Sequence, residues 1–314
     1  MNHLLSLQEL DRYELLAIIQ RAIEIKRHPE RYYDACYRKG LLMLFQKTST
    51  RTYLSFQSAI HQMGGYAVAM DWDASNFSLS PIRYEARYAS RNCDFILARL
   101  KKHADLLELS EYASVPVVNG CCDKYHPCQA LADLMTVYET TGTFQSVTIA
   151  YVGIHNNVAN SLIAGCIALG VRLILVTPIV NEASWDEALM QAASRSGLVT
   201  AMNGLSEAAA ASDFVYTDTW IDMEFYDDPG YQAEKERRIH TMLPFQVNRV
   251  NLGGHSPYLM HDMPIHPGFE IAEDLIESDK SVIYRQAENR MHAQKALLLH
   301  LLETANHQEG RNEL

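Results

Sequence analysis

The sequence has little of what marks a membrane, secreted or nucleic-acid-binding protein. No apolar run approaches the roughly 18 residues of a membrane-spanning helix. Met1–Leu7 lacks the basic and apolar stretches of a secretory signal. The net charge of −11 argues against nucleic acid or a membrane as a partner. The six cysteines have no framework spacing, which is typical of free thiols. We therefore expect a cytoplasmic protein.

Two common cofactor patterns are also missing. The segment Tyr151–Ser161 has the order strand, turn, helix, but it contains only Gly153 where a dinucleotide fold uses several glycines. The cysteines and the histidine within residues 121–128 do not have the spacing of a common zinc site. The sequence therefore predicts no nucleotide and no metal cofactor.

Apolar runs alternate with helical patterns along the chain, which predicts β-α units and parallel sheets. Gly142 can end a helix and indicates a boundary. We expect one domain over residues 1–141, completed by a final helix over 286–304, and a second over 142–285. The predicted fold class is α/β: two open parallel-sheet domains joined by interdomain helices, with the active site in the cleft. Predicted strands lie near 41–46, 66–70, 94–99, 115–119, 147–152, 171–177, 198–202, 213–217, 257–261 and 281–284. Predicted helices include 7–27, 52–63, 82–91, 104–113, 127–141 and 286–302.

The most specific signal is a turn between a strand and a helix. The apolar run Gly40–Phe45 predicts a buried strand, and Leu54–Met63 predicts an amphipathic helix. Ser and Thr hydroxyls and the guanidinium of Arg51 lie between them. The first N–H groups and the dipole of such a helix attract an anion, and an arginine offers a bidentate fork to phosphate. An ordinary helix cap with a surface arginine is the alternative.

Further polar side chains follow other predicted strands. His126 and Gln129 lie one turn apart at the start of a helix, because Pro127 suits the first helical turn. A histidine and an amide can donate to a carbonyl oxygen and accept from an NH2 group. The other polar turns lie within 156–161, 216–224, 261–270 and 286–292. Each alone is compatible with a surface loop, but their shared position after strands indicates a site.

In order and spacing these residues resemble the aspartate/ornithine carbamoyltransferases, and they are more similar to the ornithine branch. The resemblance covers about residues 4–303. Its motifs are Phe45-x-Lys47-x-Ser49-Thr50-Arg51-Thr52, His126-Pro127-x-Gln129-x-Leu131-x-Asp133, Asn156-Asn157-Val158-x-Asn160-Ser161, Asp218-x-Trp220 and Glu288-Asn289-Arg290-Met291-His292.

The resemblance implies an enzyme that moves the carbamoyl group of carbamoyl phosphate to the amine of an ornithine-like amino acid or a related diamino or guanidino compound. It also implies a donor-binding first domain, an acceptor-binding second domain, a homotrimer, and no cofactor. The implied carbamoyl-phosphate-binding residues are Ser49, Thr50, Arg51, Thr52, Arg99, His126, Gln129 and Arg290. The implied acceptor-binding residues are Asn157, Asp218, Asp222, Met223, Asp262 and Met263. The implied catalytic residues are Arg51, Arg99, His126 and Asp262.

Three segments depart from the ornithine branch. The sequence His261-Asp262-Met263-Pro264 replaces His-Cys-Leu-Pro. The sequence Asp222-Met223-Glu224 replaces Ser-Met-Gly, which in that branch reads the α-amino and carboxylate groups. The loop over 71–83 lacks the Gln and Lys expected to reach a neighbouring subunit's site, although Arg83 can compensate. The carboxylates then expected around the acceptor are those of Asp218, Asp222, Glu224 and Asp262.

These acids leave the acceptor open. A small diamino acid, a diamine and a guanidino compound are candidates beside ornithine, and some of the acids can instead point to solvent. A non-catalytic paralogue with a binding or regulatory role is the alternative to an enzyme. The arginines, the histidine and the glutamine implied for the donor site are all present, which favours catalysis.

Overall fold

A computed structural model describes residues 3–222 and 225–312, with side chains described through residue 305. The chain forms two compact units. Unit 1 comprises Met1–Met135 and Asn289–Leu314, and unit 2 comprises Thr136–Glu288. Each unit contains one parallel sheet, so the predicted α/β fold class is confirmed.

The sheet of unit 1 has the strand order β2-β1-β3-β4. The strands are β1 (Gly40–Phe45), β2 (Tyr66–Asp71), β3 (Phe95–Arg99) and β4 (Val117–Cys121). The helices that accompany them are α1 (Arg12–Arg27), α2 (Thr50–Gln62), α3 (Ile82–Ala89), α4 (His103–Tyr112) and α5 (Pro127–Thr141). The inner strands β1 and β3 are almost wholly buried, as expected of parallel strands covered on both faces. The edge strand β2 is largely exposed.

The sheet of unit 2 has the order β7-β6-β5-β8-β9. The strands are β5 (Thr148–His155), β6 (Arg172–Val180), β7 (Val199–Ala201), β8 (Phe214–Thr217) and β9 (Tyr258–His261). The helices are α6 (Asn157–Leu169), α7 (Glu187–Ser196), α8 (Leu205–Ala210), α9 (Gln232–Met242) and α10 (Glu273–Ile276). The last helix, α11 (Ile283–Asn312), belongs to unit 1 from Asn289 onward. The central strand β5 is buried along its whole length, because helices and neighbouring strands cover it on all sides.

Local residues set the starts of the helices that border the predicted site. The side chain of Ser49 accepts from the N–H of Thr52 at the start of α2. The side chain of Asn156 accepts from the N–H groups of Val158 and Ala159 at the start of α6. Both caps satisfy donors that a helix cannot pair internally, so the turn geometry follows from the sequence.

Two sequence-based element predictions are wrong. The predicted strand near 281–284 is an isolated bridge between Ser281 and Leu259, and α11 already begins at Ile283. That apolar run was too short for its period to separate strand from helix. The predicted helix over 7–27 is interrupted, because Asp11 caps α1 with a capping box and a short 3-10 helix, Leu7–Glu9, precedes it.

Within the described residues 3–222 and 225–312, no helix is both long enough and apolar enough to cross a membrane.

Candidate active site

The predicted phosphate turn lies at the carboxyl end of β1, where the strand order reverses between β2 and β3. Open α/β sheets bind ligands at such points. Ser49 is extended, with φ −163°, and its Oγ lies 3.2 Å from the N–H of Thr52. Thr50 is exposed and Arg51 is half-buried at the first turn of α2. A cavity of about 360 Å³ opens beside the turn, and its lining includes Lys47, Ser49, Tyr53 and Asp71.

A buried hydrogen-bond chain connects this turn to α5 and α11. Arg290 donates from Nη2 to the Oγ1 of Thr52 at 2.9 Å and from Nη1 to the Oε1 of Gln129. The Nε2 of Gln129 donates to the Oδ1 of Asp133 at 2.8 Å. All four side chains are at most 3% exposed. The chain fixes which way the Gln129 amide points and places the Arg290 guanidinium between a hydroxyl and an amide.

His126 lies at the start of α5, is 6% exposed and is surrounded by positive charge. Its pKa is well below the ordinary histidine value, because burial disfavours the imidazolium and the cations Arg290, Arg99, Arg51 and Lys47 add to that effect. The imidazole is therefore neutral at pH 7. It can donate one N–H to an oxygen that gains negative charge, while the surrounding cations favour an anionic ligand.

Arg99 ends β3, the strand beside β1 at the point where the order reverses. Its Nε is buried and has no hydrogen-bond partner among the described residues. A buried donor of this kind is costly unless a ligand accepts from it. Arg99 is therefore placed and equipped to bind an oxygen of an anionic substrate.

In unit 2, Asp218 follows β8 and is 2% exposed. Its Oδ2 accepts from the Nδ2 of Asn156 at 2.7 Å and from the hydroxyl of Tyr151 at 3.2 Å. Its Oδ1 accepts from the N–H of Thr219 at 2.6 Å. These three donors carry no charge, so they orient the carboxylate without neutralising it. Asp218 therefore remains able to attract a cationic group.

The acids predicted near Asp218 differ in their surroundings. The Oδ2 of Asp222 lies 3.2 Å from the Nη1 of Arg238, a buried residue of α9. Met223 and Glu224, which were also predicted to face the acceptor, lie outside the described residues. The structure therefore provides a cationic partner for one predicted acceptor-binding acid.

The segment after β9 is held by His261, which is fully buried. Its Nδ1 accepts from the N–H of Met263 at 2.8 Å, so its Nε2 carries the proton and donates to Glu270 at 3.0 Å. The Oδ1 of Asp262 lies 3.6 Å from the unprotonated Nδ1, so the two groups do not form an ion pair. Asp262 is mostly buried, with an 11% exposed side chain. Met263 packs against the apolar core of unit 2.

Two further predictions concern Asn157 and the loop over 71–83. Asn157 is half-buried at the first residue of α6. In the loop, Trp72 and Phe77 are buried against the core of unit 1, and their rings lie 5.1 Å apart. Arg83 is exposed and stacks on the neighbouring Tyr84. The apolar part of the loop thus folds onto its own unit.

The structure also identifies supporting residues that the sequence reading did not assign. Asp133 and Lys47 could have been identified from the sequence, because both lie inside the motifs given above. Tyr151 was also visible on the strand before the Asn156 turn. Arg238 gave no signal, since it lies 16 residues from its partner Asp222 on an ordinary charged helix.

Comparisons with known proteins give two family-model matches along the chain. Residues 2–139 match a family model described as the carbamoyl-P binding domain of aspartate/ornithine carbamoyltransferase. Residues 145–301 match the model of the Asp/Orn binding domain of the same family. The residues predicted to bind carbamoyl phosphate lie in the first match, except Arg290. The residues predicted to bind the acceptor lie in the second match.

Curated relatives match over nearly their whole length. An ornithine carbamoyltransferase of Archaeoglobus fulgidus is 37% identical, with 96% of this chain and 98% of that protein covered. One of Thermococcus kodakarensis is 40% identical, with 94% of each covered. Among solved structures, ornithine carbamoyltransferase from Pyrococcus furiosus has a TM-score of 0.85 at 38% identity, covering 95% of this chain and 96% of that one. The anabolic enzyme of Campylobacter jejuni has a TM-score of 0.86 at 30% identity, covering 97% and 100%.

Proposed function

Since this chain belongs to the aspartate/ornithine carbamoyltransferase family and is a carbamoyltransferase, we propose that it transfers the carbamoyl group of carbamoyl phosphate to the side-chain amine of ornithine. The observation that carries the donor half is the neutral His126 surrounded by four cations. The curated relatives named for the ornithine reaction support the acceptor half.

We assign phosphate binding to the first turn of α2, with Ser49, Thr50, Thr52 and Arg51, because its N–H groups and hydroxyls are donors and its dipole favours an anion. His126, Gln129 and Arg290 bind the carbamoyl group. The Arg290 contact with Gln129 supports this assignment, because it gives the amide one orientation. Arg99 bridges the phosphate and the carbonyl oxygen through its buried Nε.

The chemistry follows from these donors. The neutral amine of the acceptor attacks the carbamoyl carbon, a C–N bond forms, and the C–O bond to phosphate breaks. Negative charge grows on the carbonyl oxygen, and Arg51, Arg99 and the N–H of His126 are the donors that we assign to it. An alkyl amine with a pKa of about 10.4 is almost entirely protonated at pH 7. The ammonium gives up one proton to solvent before attack. The departing phosphate accepts the proton that the nitrogen loses when the C–N bond forms, and leaves as hydrogen phosphate.

On the acceptor side we assign binding to Asn157, Asp218, Asp222, Met223, Asp262 and Met263. Asp218 is the carboxylate best suited to hold the cationic end of the substrate, since its three donors, Tyr151, Asn156 and the N–H of Thr219, carry no charge. Asp222 is charge-balanced by Arg238, which reduces the number of uncompensated acids. That balance suits an acceptor that carries its own carboxylate, as ornithine does.

Asp262 favours a second candidate acceptor. Its carboxylate is mostly buried after β9, and by the resemblance it stands where the ornithine branch has a cysteine. An anion near the reacting nitrogen stabilises the ammonium form, which opposes attack but improves binding of a second positive group. A diamine or a guanidino compound supplies such a group.

We also propose a homotrimer. The edge strand β2 exposes Tyr66, Val68 and Met70, each at least 38% exposed, and an apolar cavity of about 470 Å³ lies beside it. An exposed apolar edge strand of this kind is usually covered by another chain. Light scattering of the purified protein tests the assembly, with Val68→Lys expected to weaken it. A monomeric wild type contradicts this proposal.

The function is tested by phosphate release from carbamoyl phosphate with a panel of amines. The panel contains ornithine, 2,3-diaminopropionate, putrescine and agmatine, and products are identified by mass. We expect ornithine to give the highest kcat/KM and citrulline as product. A higher value with putrescine or agmatine supports the second candidate, and no release with any amine contradicts both.

A further inference from the structure

Arg238 of α9 is a buried cation that touches the segment after β8 at two points. It is 8% exposed, and its Nη1 lies 3.3 Å from the carbonyl oxygen of Trp220 and 3.2 Å from the Oδ2 of Asp222. Its Nε donates to the Oε1 of Glu234 at 3.0 Å. A buried guanidinium needs such partners, because an uncompensated charge in this position is strongly destabilising.

The neighbouring Arg237 determines how much of the Arg238 charge is available to Asp222. Arg237 makes two contacts with Glu234, from Nε at 2.6 Å and from Nη2 at 2.7 Å. This bidentate pair already satisfies the Glu234 carboxylate. Two arginines therefore face two acids, and the second positive charge balances Asp222.

Asp222 is one of the residues to which we have assigned acceptor binding, and it follows β8 in the same segment as Asp218. A free carboxylate at this position repels the carboxylate of an amino-acid substrate. A carboxylate paired with Arg238 does not, and the contact with Trp220 holds the segment that leads to it.

We propose that Arg238 is a specificity-determining residue that allows the acceptor site to accept an amine bearing a carboxylate. It does so by neutralising Asp222 and by positioning the segment 218–222 through the Trp220 carbonyl. This inference rests on the proposed function, because it concerns the acceptor of that reaction.

The test compares two acceptors that differ in one charge, L-ornithine and L-ornithinamide. The readout is the ratio of their kcat/KM values, or of their dissociation constants with phosphate present if the amide turns over below detection. Loss of folded protein lowers both values and leaves the ratio unchanged. The variants are Arg238→Gln, the neighbouring Arg237→Gln, and Arg238→Gln combined with Asp222→Ser.

We expect Arg238→Gln to lower the ornithine-to-ornithinamide ratio about tenfold, equivalent to about 1.4 kcal/mol. Arg237→Gln should lower the ratio by less than Arg238→Gln does, because Glu234 then draws on Arg238 while the contact between Arg238 and Asp222 remains. Adding Asp222→Ser to Arg238→Gln should restore the ratio. The KM for carbamoyl phosphate should not change in any of them. If Arg238→Gln does not fold, Asp222→Ser alone decides, and the ratio should rise because Arg238 then lacks its anion.

An unchanged ratio in Arg238→Gln, or a double variant that stays as low as the single one, overturns the inference. An unchanged or lower ratio in Asp222→Ser alone does the same. If the wild type releases no phosphate with ornithine, the proposed function fails and this inference fails with it. An active wild type with an insensitive ratio removes only the role of Arg238.

Discussion

Thr52→Val tests whether the turn of α2 holds Arg290 in place. Thr52 is 1% exposed and Arg290 is 3% exposed, and the hydroxyl accepts from the Nη2 of Arg290 at 2.9 Å. Valine keeps the branched shape and the burial but offers no acceptor. A hydrogen bond to a charged group contributes about 1.5–3 kcal/mol. We therefore expect the free energy of unfolding to fall by about that amount.

The same change should reach the chemistry, because Arg290 also donates to Gln129. Loss of one anchor lets the guanidinium rotate away from the position in which we propose it binds the carbamoyl group. A loss of about 1.5–3 kcal/mol in transition-state stabilisation lowers kcat/KM for carbamoyl phosphate by roughly 10-fold to 150-fold. The KM for the acceptor should change little.

Two assays measure the two effects of Thr52→Val. Thermal unfolding should shift down by about 3–12 °C, since a chain unit of this size loses about 2–4 °C per kcal/mol. Steady-state phosphate release gives kcat/KM. Ser55→Ala is the control on the same helix, because its hydroxyl bonds only to backbone carbonyls one turn back. Kinetics within twofold of wild type and an unchanged melting temperature would refute the role of Thr52.

Four other predictions follow from the site. Arg51→Ala should abolish turnover in a folded protein, and turnover within tenfold of wild type contradicts its phosphate role. Carbamoyl phosphate at about 100 times its dissociation constant should stabilise the protein by about 2.7 kcal/mol, and an unchanged melting temperature contradicts an intact donor site. Asp262→Cys should lower kcat/KM for putrescine at least about tenfold, roughly 1.4 kcal/mol. The kcat/KM for ornithine should stay equal or rise. A parallel loss for both amines contradicts this prediction. Burial alone would raise the pKa of Glu270, but its hydrogen bonds with His261 and His266 outweigh burial and lower that pKa to about 2. The stabilisation that this carboxylate provides is then complete above about pH 4.5 and is lost as the pH falls toward about 2. Glu270→Gln should flatten that pH dependence of stability. An unchanged dependence of the melting temperature on pH below about 4.5 argues against the lowered pKa of Glu270.

The buried strand β1 and the capped start of α2 are features that local sequence predicts well. Apolar runs mark β1 and β5 as buried parallel strands, since strands covered on both faces have no polar alternation. The caps Ser49 and Asn156 follow from short-range hydrogen bonds, so their helices start near the predicted residues. The short run before α11 was misread, because three apolar residues have no usable period.

The amino-acid sequence by itself determined the buried strands, the capped turns after them and the hydroxyl and guanidinium groups at the turn before α2. The tertiary structure decided which of these residues meet. Arg290 and Thr52 are 238 residues apart in the chain, and no local pattern predicts their contact. Likewise, the low pKa of His126 arises from burial and from cations on separate elements, and the neutralisation of Asp222 arises from a helix 16 residues further on. Caps and strand periodicity act between near neighbours and can be read from the sequence, whereas charge balance and burial depend on distances that only folding sets.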